Sequence, residues 1–151
     1  MPDMTDGPLD ELYREVILDH YRSPRNRGRV EGPEATGVEL QNPTCGDEIH
    51  LTLAVRDGHI ADVRFEGRGC SISMASASML TEALRGKTPE EALALSQAFK
   101  GMLHGTASAD DEALGDLAAL SGVAQFPVRV KCATLAWNAL QRALGAAGAE
   151  D

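Results

Sequence analysis

The chain has 151 residues, with 14 Lys and Arg against 23 Asp and Glu and so a formal net charge of −9 with His neutral. That length suits one domain, residues 1–151, whose core needs neither disulfides nor a metal to fold, since that need sets in below about 70 to 80 residues. The acidity opposes the basic face that nucleic acid or anionic lipid requires, so neither nucleic acid nor a membrane is an expected partner. The beginning, MPDMTDGPLDEL, lacks a basic stretch followed by an apolar run, and no segment approaches the ~18 consecutive apolar residues of a membrane span. The three cysteines, Cys45, Cys70 and Cys132, are odd in number and contain no CxxC pair, which argues against a disulfide framework and for a reducing cytoplasm.

Along the chain, Leu9, Leu12, Tyr13, Val16, Ile17 and Tyr21 recur at intervals of three and four. They predict an amphipathic helix that starts at Asp6 or Pro8 and stops before Ser23-Pro24. Residues 25–36, with Asn26-Arg27-Gly28 and Gly32-Pro33, read as an extended connection. Three alternating runs follow at 38–41, 48–55 and 60–66, the last two joined by an Asp57-Gly58 hairpin turn, and together they predict an antiparallel meander. Past Gly67-Arg68-Gly69, residues 71–84 combine small side chains with Ile72, Met79, Leu80 and Leu84, a closely packed helix capped by Gly86. Thr88-Pro89-Glu90-Glu91 has the composition of a capping box and opens a short helix to about Phe99. Residues 100–109 read as a loop, and 110–120, with their acidic first turn, as another short helix. Pro127 opens a long final helix to about Leu144, with Val130, Ala133, Trp137, Leu140 and Leu144 on one stripe and residues 148–151 expected to fray. The sum is an α+β domain in which a small three-stranded antiparallel sheet packs with about five helices.

Cys45 lies in Asn42-Pro43-Thr44-Cys45-Gly46-Asp47, between the first two strands. Being two apart, Cys45 and Asp47 project to the same side of an extended turn and can reach one ion. Cys70 precedes the small-residue helix, whose N-terminal N–H groups favour a thiolate, and Cys132 sits in the first turns of the last helix beside Arg129 and Lys131. An unlinked cysteine is also commonly a small buried hydrophobe, and separations of 25 and 62 positions match no simple zinc-finger spacing. What supports a joint site is the donor count: three thiolates and one carboxylate complete a tetrahedral set for Zn²⁺, or a partial cradle for iron and sulfide. His20 on the helix stripe and His50 on the polar face of a strand read as structural or solvated; His59 falls in the hairpin turn and His104 has no evident place. The Ser71, Ser73, Ser76, Ser78 series reads as helix packing, and Glu90-Glu91 and Asp110-Asp111-Glu112 as helix N-terminal electrostatics. No G-x-G-x-x-G follows a strand, and there is no P-loop and no G-x-S-x-G elbow.

Four motifs in order carry a resemblance. They are Leu12-Tyr13-Arg14-Glu15-Val16-Ile17-Leu18-Asp19-His20-Tyr21 with Ser23-Pro24-Arg25-Asn26; Asn42-Pro43-x-Cys45-Gly46-Asp47; Gly67-x-Gly69-Cys70-x-Ile72-Ser73; and Arg129-Val130-Lys131-Cys132-Ala133-Thr134-Leu135-Ala136-Trp137. Together, from about Leu9 to Leu144, they resemble the U-type iron–sulfur cluster assembly family of SufU, IscU and NifU N-terminal proteins. The resemblance implies a small antiparallel sheet covered by helices, with Cys45, Asp47, Cys70 and Cys132 converging at one end. Two departures resemble the SufU branch. Lys131 stands where IscU-like scaffolds have His, and 61 residues separate Cys70 from Cys132, more than in those scaffolds, with the extra length placed within residues 100–124. Lys131 cannot ligate a metal while protonated.

Membership of that branch implies Zn²⁺ held by Cys45, Asp47, Cys70 and Cys132, and sulfur accepted from a PLP-dependent cysteine desulfurase. Cys45 is the expected acceptor because Pro43 and Gly46 put it on a loop. Arg129 is either a partner contact or a solvated helix-start charge. Downstream partners would be an iron–sulfur assembly scaffold or apo-proteins, and a monomer is expected. The alternative is a scaffold on which a [2Fe–2S] cluster is transiently built and then released, with zinc adventitious. A third reading, a purely structural zinc domain, is opposed by a core that needs no metal.

Overall fold

A computed structural model describes residues 8–42, 46–105 and 112–145. Helix α1, Pro8–Arg22, ends where Ser23 donates its N–H to the Asp19 carbonyl at 2.9 Å, just before Pro24. Val16 and Ile17 pack against the core, but the next inward position on a 3.6-residue period is His20, which is buried. Tyr21, expected on the stripe, is instead exposed.

The meander forms as expected, with β1 Thr36–Asn42, β2 Asp47–Arg56 and β3 His59–Arg68 in the order β1-β2-β3, each strand somewhat longer than its alternating run. Ile49, Leu51, Leu53, Ile60, Val63 and Phe65 supply the buried face. Asp57 and Gly58 both take positive φ, 53° and 79°, the geometry that matches a two-residue hairpin to strand twist. The connection after α1 is more than a spacer. Gly28 donates to the Phe65 carbonyl at 2.9 Å, and Phe65 donates to the Asn26 carbonyl at 3.1 Å. Residues 26–28 thereby hem the outer edge of β3, which would otherwise present unpaired backbone groups.

Helix α2, Ser71–Leu84, packs through its small residues as the composition predicts. Ser76 donates to the Ala133 carbonyl at 2.6 Å and accepts from the Trp137 indole at 3.1 Å, so this serine is packing. Gly86 is not the helix cap it was expected to be. Arg85 takes the capping position in an extended conformation, and Gly86, at φ +84°, gives its N–H to the Ile60 carbonyl at 2.9 Å. Ile60 in turn donates to the Lys87 carbonyl at 2.8 Å, pinning the end of α2 to the start of β3.

Helix α3, Pro89–Leu103, starts in the expected capping box, Thr88 Oγ1 accepting from Glu91 N–H at 3.1 Å and Glu91 Oε1 from Thr88 N–H at 3.0 Å. It runs one turn past Phe99, correcting the loop expected at 100–103. Lys100 Nζ donates to Asn138 Oδ1 and Gln141 Oε1 of the final helix, and Met102 and Leu103 are buried. His104 is the exposed residue that ends α3. The short helix expected at 110–120 is a 3₁₀ segment, Glu112–Gln125, broken at Gly115 (φ 52°, ψ −129°). Leu114, Leu117, Leu120 and Val123 are buried at the spacing of three that a 3₁₀ helix presents on one side, and Ala119 is buried beside them. The expectations for Asp110, Asp111 and residues 148–151 lie outside the described residues. Helix α4, Pro127–Ala143, has the predicted stripe inward, with Trp137 fully buried against Phe99 at a ring separation of 5.0 Å. Among the described residues no helix is long and apolar enough to cross a membrane.

Candidate metal centre

Asp47 opens β2 directly opposite Asn42, and the Gly46 N–H donates to the Asn42 carbonyl at 2.8 Å. Gly46 has φ +75°, a conformation that favours glycine. The Asp47 side chain turns inward and is only 1% exposed. Its Oδ1 accepts the backbone N–H of Cys70 at 3.0 Å, while its Oδ2 is buried with no hydrogen-bond partner among the described residues. An unpaired buried acceptor costs about 1–3 kcal/mol, more when it is charged.

The two glycines before Cys70 have a tertiary cause. A Cβ at Gly67, which sits at φ +152°, would enter the Glu48 carbonyl, and one at Gly69 would collide with the Asp47 carboxylate. Only a bare backbone lets the end of β3 pass beneath Asp47 and deliver Cys70 to the head of α2. Gly69→Ala should therefore cost about 1–3 kcal/mol through overpacking and push the carboxylate off the Cys70 N–H. Urea unfolding of the metal-free variant measures this, and wild-type stability would show that the close approach relaxes at no cost.

Cys70 is the N-cap of α2, as its position before the small-residue run predicts, and its Sγ accepts the Ser73 N–H at 3.5 Å. Cys132 is 1% exposed in the second turn of α4, with Sγ 4.0 Å from the Val128 carbonyl. A carboxylate oxygen of Asp47 and the sulfurs of Cys70 and Cys132 all lie within 4.8 Å of one another. Cys45, the remaining member of the expected set, lies outside the described residues. Donors about 2.0–2.3 Å from a zinc ion stand roughly 3.3–3.8 Å apart in a tetrahedron, so the triangle is near the size such an ion needs. The unpaired Asp47 Oδ2 is a second sign that a cation suits this place. Two thiols with a carboxylate form a donor set that fits Zn²⁺.

Arg129 is exposed on the first turn of α4 and borders a groove of about 700 Å³ that also meets Arg14, Ile17, Ile72 and Phe126. The groove reaches Ser71, the neighbour of Cys70. Lys131 is exposed. His50 is half-buried, His59 is exposed with Nδ1 3.0 Å from the Asp57 carbonyl, and neither stands in the thiol cluster. Sequence reasoning missed two features. Asp47 holds the backbone of Cys70 as well as facing its sulfur, and the buried imidazole of His20 points at two carboxylates, Glu82 and Asp116. The signal for the second was present, since His20 occupies an inward position of an otherwise apolar stripe.

Comparison with known proteins gives a consistent set of matches. The profile of the NifU-like N-terminal domain family matches residues 12–133. The chain is 52% identical over 134 residues to the zinc-dependent sulfurtransferase SufU of Bacillus subtilis, covering 89% of this chain and 90% of that protein. It is 48% identical over 136 residues to the iron–sulfur cluster assembly scaffold protein IscU of Streptococcus pyogenes, covering 90% and 84% respectively. Among solved structures it resembles one described as an iron–sulfur cluster assembly scaffold protein for the SUF system of Fervidobacterium islandicum, with a TM-score of 0.81, 36% identity, and 91% and 99% of the two chains covered.

Proposed function

The chain belongs to the NifU-like N-terminal domain family, and on that footing we propose that it is a zinc-dependent sulfurtransfer protein of iron–sulfur cluster assembly. Its sulfur donor would be a PLP-dependent cysteine desulfurase, and its acceptors an assembly scaffold or apo-proteins. The observation that carries this reading is the convergence of Asp47, Cys70 and Cys132, with Asp47 Oδ2 buried and without a hydrogen-bond partner among the described residues. Cys45, two positions before Asp47, would complete the set of four. When bound there, zinc keeps the thiols as thiolates and shields them from oxidation.

The protein's own residues divide the labour. Asp47 anchors the backbone at Cys70, the Ser73 N–H points at the Cys70 sulfur, and Cys132 is buried within a helix. That leaves Cys45, in Pro43-Thr44-Cys45-Gly46, as the acceptor. Its thiolate attacks the terminal sulfur of the desulfurase persulfide; a new S–S bond forms on Cys45 as the desulfurase S–S bond breaks, and the desulfurase cysteine leaves as thiolate with no net redox change. Arg129 and the groove beside it would meet the desulfurase.

In Cys45→Ala, stimulation of desulfurase turnover should fall to the unstimulated rate when compared at matched zinc occupancy. Full stimulation with zinc retained would remove Cys45 as the acceptor. The second reading, a scaffold carrying a [2Fe–2S] cluster as cargo, is favoured by the similarity to the streptococcal scaffold protein. Anaerobic reconstitution with iron and sulfide separates the two: a stable, transferable cluster supports the scaffold, and a persistently colourless zinc protein supports sulfur transfer.

A further inference from the structure

His20, Glu82 and Asp116 converge from α1, α2 and the 3₁₀ segment, away from the thiols. The imidazole is 2% exposed, and its Nδ1 is fixed 2.7 Å from the Ser78 hydroxyl. Its Nε2 faces Asp116 Oδ2 at 3.5 Å and Glu82 Oε1 at 3.8 Å, and one donor atom from each residue lies within 4.8 Å of the others. These separations are too long for N–H···O hydrogen bonds, which span about 2.7–3.2 Å. They match a shared ion better, since nitrogen and oxygen donors 2.0–2.2 Å from a zinc-sized cation stand roughly 3.3–3.6 Å apart. The buried ring thus turns Nε2 toward two carboxylates at separations outside the usual hydrogen-bond range.

We propose that His20, Glu82 and Asp116 form a second divalent-cation site, taking a first-row ion such as Zn²⁺ through one imidazole nitrogen and two carboxylate oxygens. The bond between Nδ1 and Ser78 is the kind of outer contact that fixes tautomer and ring orientation in metal-bound histidines; with an ion on Nε2, Nδ1–H would donate to Ser78 Oγ, which also accepts the Arg25 N–H at 2.9 Å. Imidazole with carboxylates suits zinc better than calcium or magnesium, which prefer all-oxygen sets. A cavity of about 230 Å³ borders the two carboxylate residues, Glu82 and Asp116, but not His20. The Gly115 kink redirects the chain immediately before Asp116.

Neighbouring charges leave the site attractive to a cation. Arg25 approaches Glu82 through Oε2 at 3.9 Å, the oxygen turned away from His20, and its guanidinium is engaged by Asp19 at 2.5 Å. That hydrogen bond holds the Asp19 carboxyl below the usual carboxylate range. Lys87, which lines the same cavity, is the other cation nearby. With Glu82 and Asp116 both well exposed, the affinity should be lower than at a buried thiolate site.

Titration of the full chain with Zn²⁺, read by metal analysis and calorimetry and repeated with Co²⁺, tests the site. Two equivalents are expected, the second weaker and, with Co²⁺, free of thiolate-to-metal charge transfer. Asp116→Asn and Glu82→Gln should each weaken the second equivalent by about tenfold or more while sparing the first. Both side chains are exposed, so these variants should fold, and circular dichroism checks that. A single equivalent in the wild type, a second equivalent unchanged in both variants, or a thiolate signature on the second equivalent would each overturn the proposal. The first equivalent reports separately on the thiol site, so the failure of either assignment is distinguishable from that of the other.

Discussion

Asp47→Asn should weaken zinc binding by about 100-fold or more while leaving the metal-free protein at least as stable as the wild type. The substitution keeps the shape of the side chain and an oxygen to accept the Cys70 N–H, now 3.0 Å from Oδ1. It removes the charge and replaces the unpaired oxygen with an amide that can donate but cannot ligate. Losing a contact behind a metal ligand typically costs 10–100-fold, so losing a ligand should reach at least the upper end, roughly 2.7 kcal/mol. The sign reverses without metal, because a buried carboxylate with an orphaned oxygen is itself destabilising. Chelator competition gives the affinity, and urea unfolding with and without zinc gives the crossing of stabilities, since ligand saturation adds RT ln(1 + [L]/Kd). Wild-type affinity in the variant would strike Asp47 from the ligand set.

Trp137→Ala should cost about 3–5 kcal/mol, a large part of the roughly 5–15 kcal/mol that holds a domain folded. The indole is fully buried, tilted 32° against Phe99, and donates to Ser76, which itself donates to the Ala133 carbonyl. Truncation opens a cavity where α2, α3 and α4 meet and removes the N–H that Ser76 accepts. Trp137→Phe should lose much less, because most of the ring volume remains. The same contacts align the two helices that carry Cys70 and Cys132, so zinc affinity should fall in Trp137→Ala as well. A loss under about 1 kcal/mol in urea unfolding would mean that the helices repack without the indole.

Legibility differed from element to element for physical reasons. The meander was readable because an alternating period and an Asp-Gly turn are local properties, and so was the capping box at Thr88, whose partners are three residues apart. The extra turn of α3 was not, since Lys100 is held helical by Asn138 and Gln141 of α4, contacts that no window of sequence contains. The 3₁₀ segment was misread as α although part of its signal was available: Leu114, Leu117, Leu120 and Val123 recur every third position. At the site, the placement of Cys70 before a helix followed from local pattern, but its meeting with Asp47 and Cys132 came from the family resemblance, because separations of 23 and 62 positions carry no geometry. The need for glycine at Gly69 was equally hidden, being imposed by a carboxylate from another strand.

Helix α2 is tied to the sheet at both ends, at its head by the Cys70 N–H on Asp47 and just past its foot by Gly86 and Lys87 on Ile60. Its 14 residues make a strut about 21 Å long, anchored to two different strands. Such a strut is held against ratcheting at both ends, and its central amides should exchange with solvent only when the whole domain opens. The sulfur at its head is thus a fixed reference point, held to the sheet through the Asp47 carboxylate.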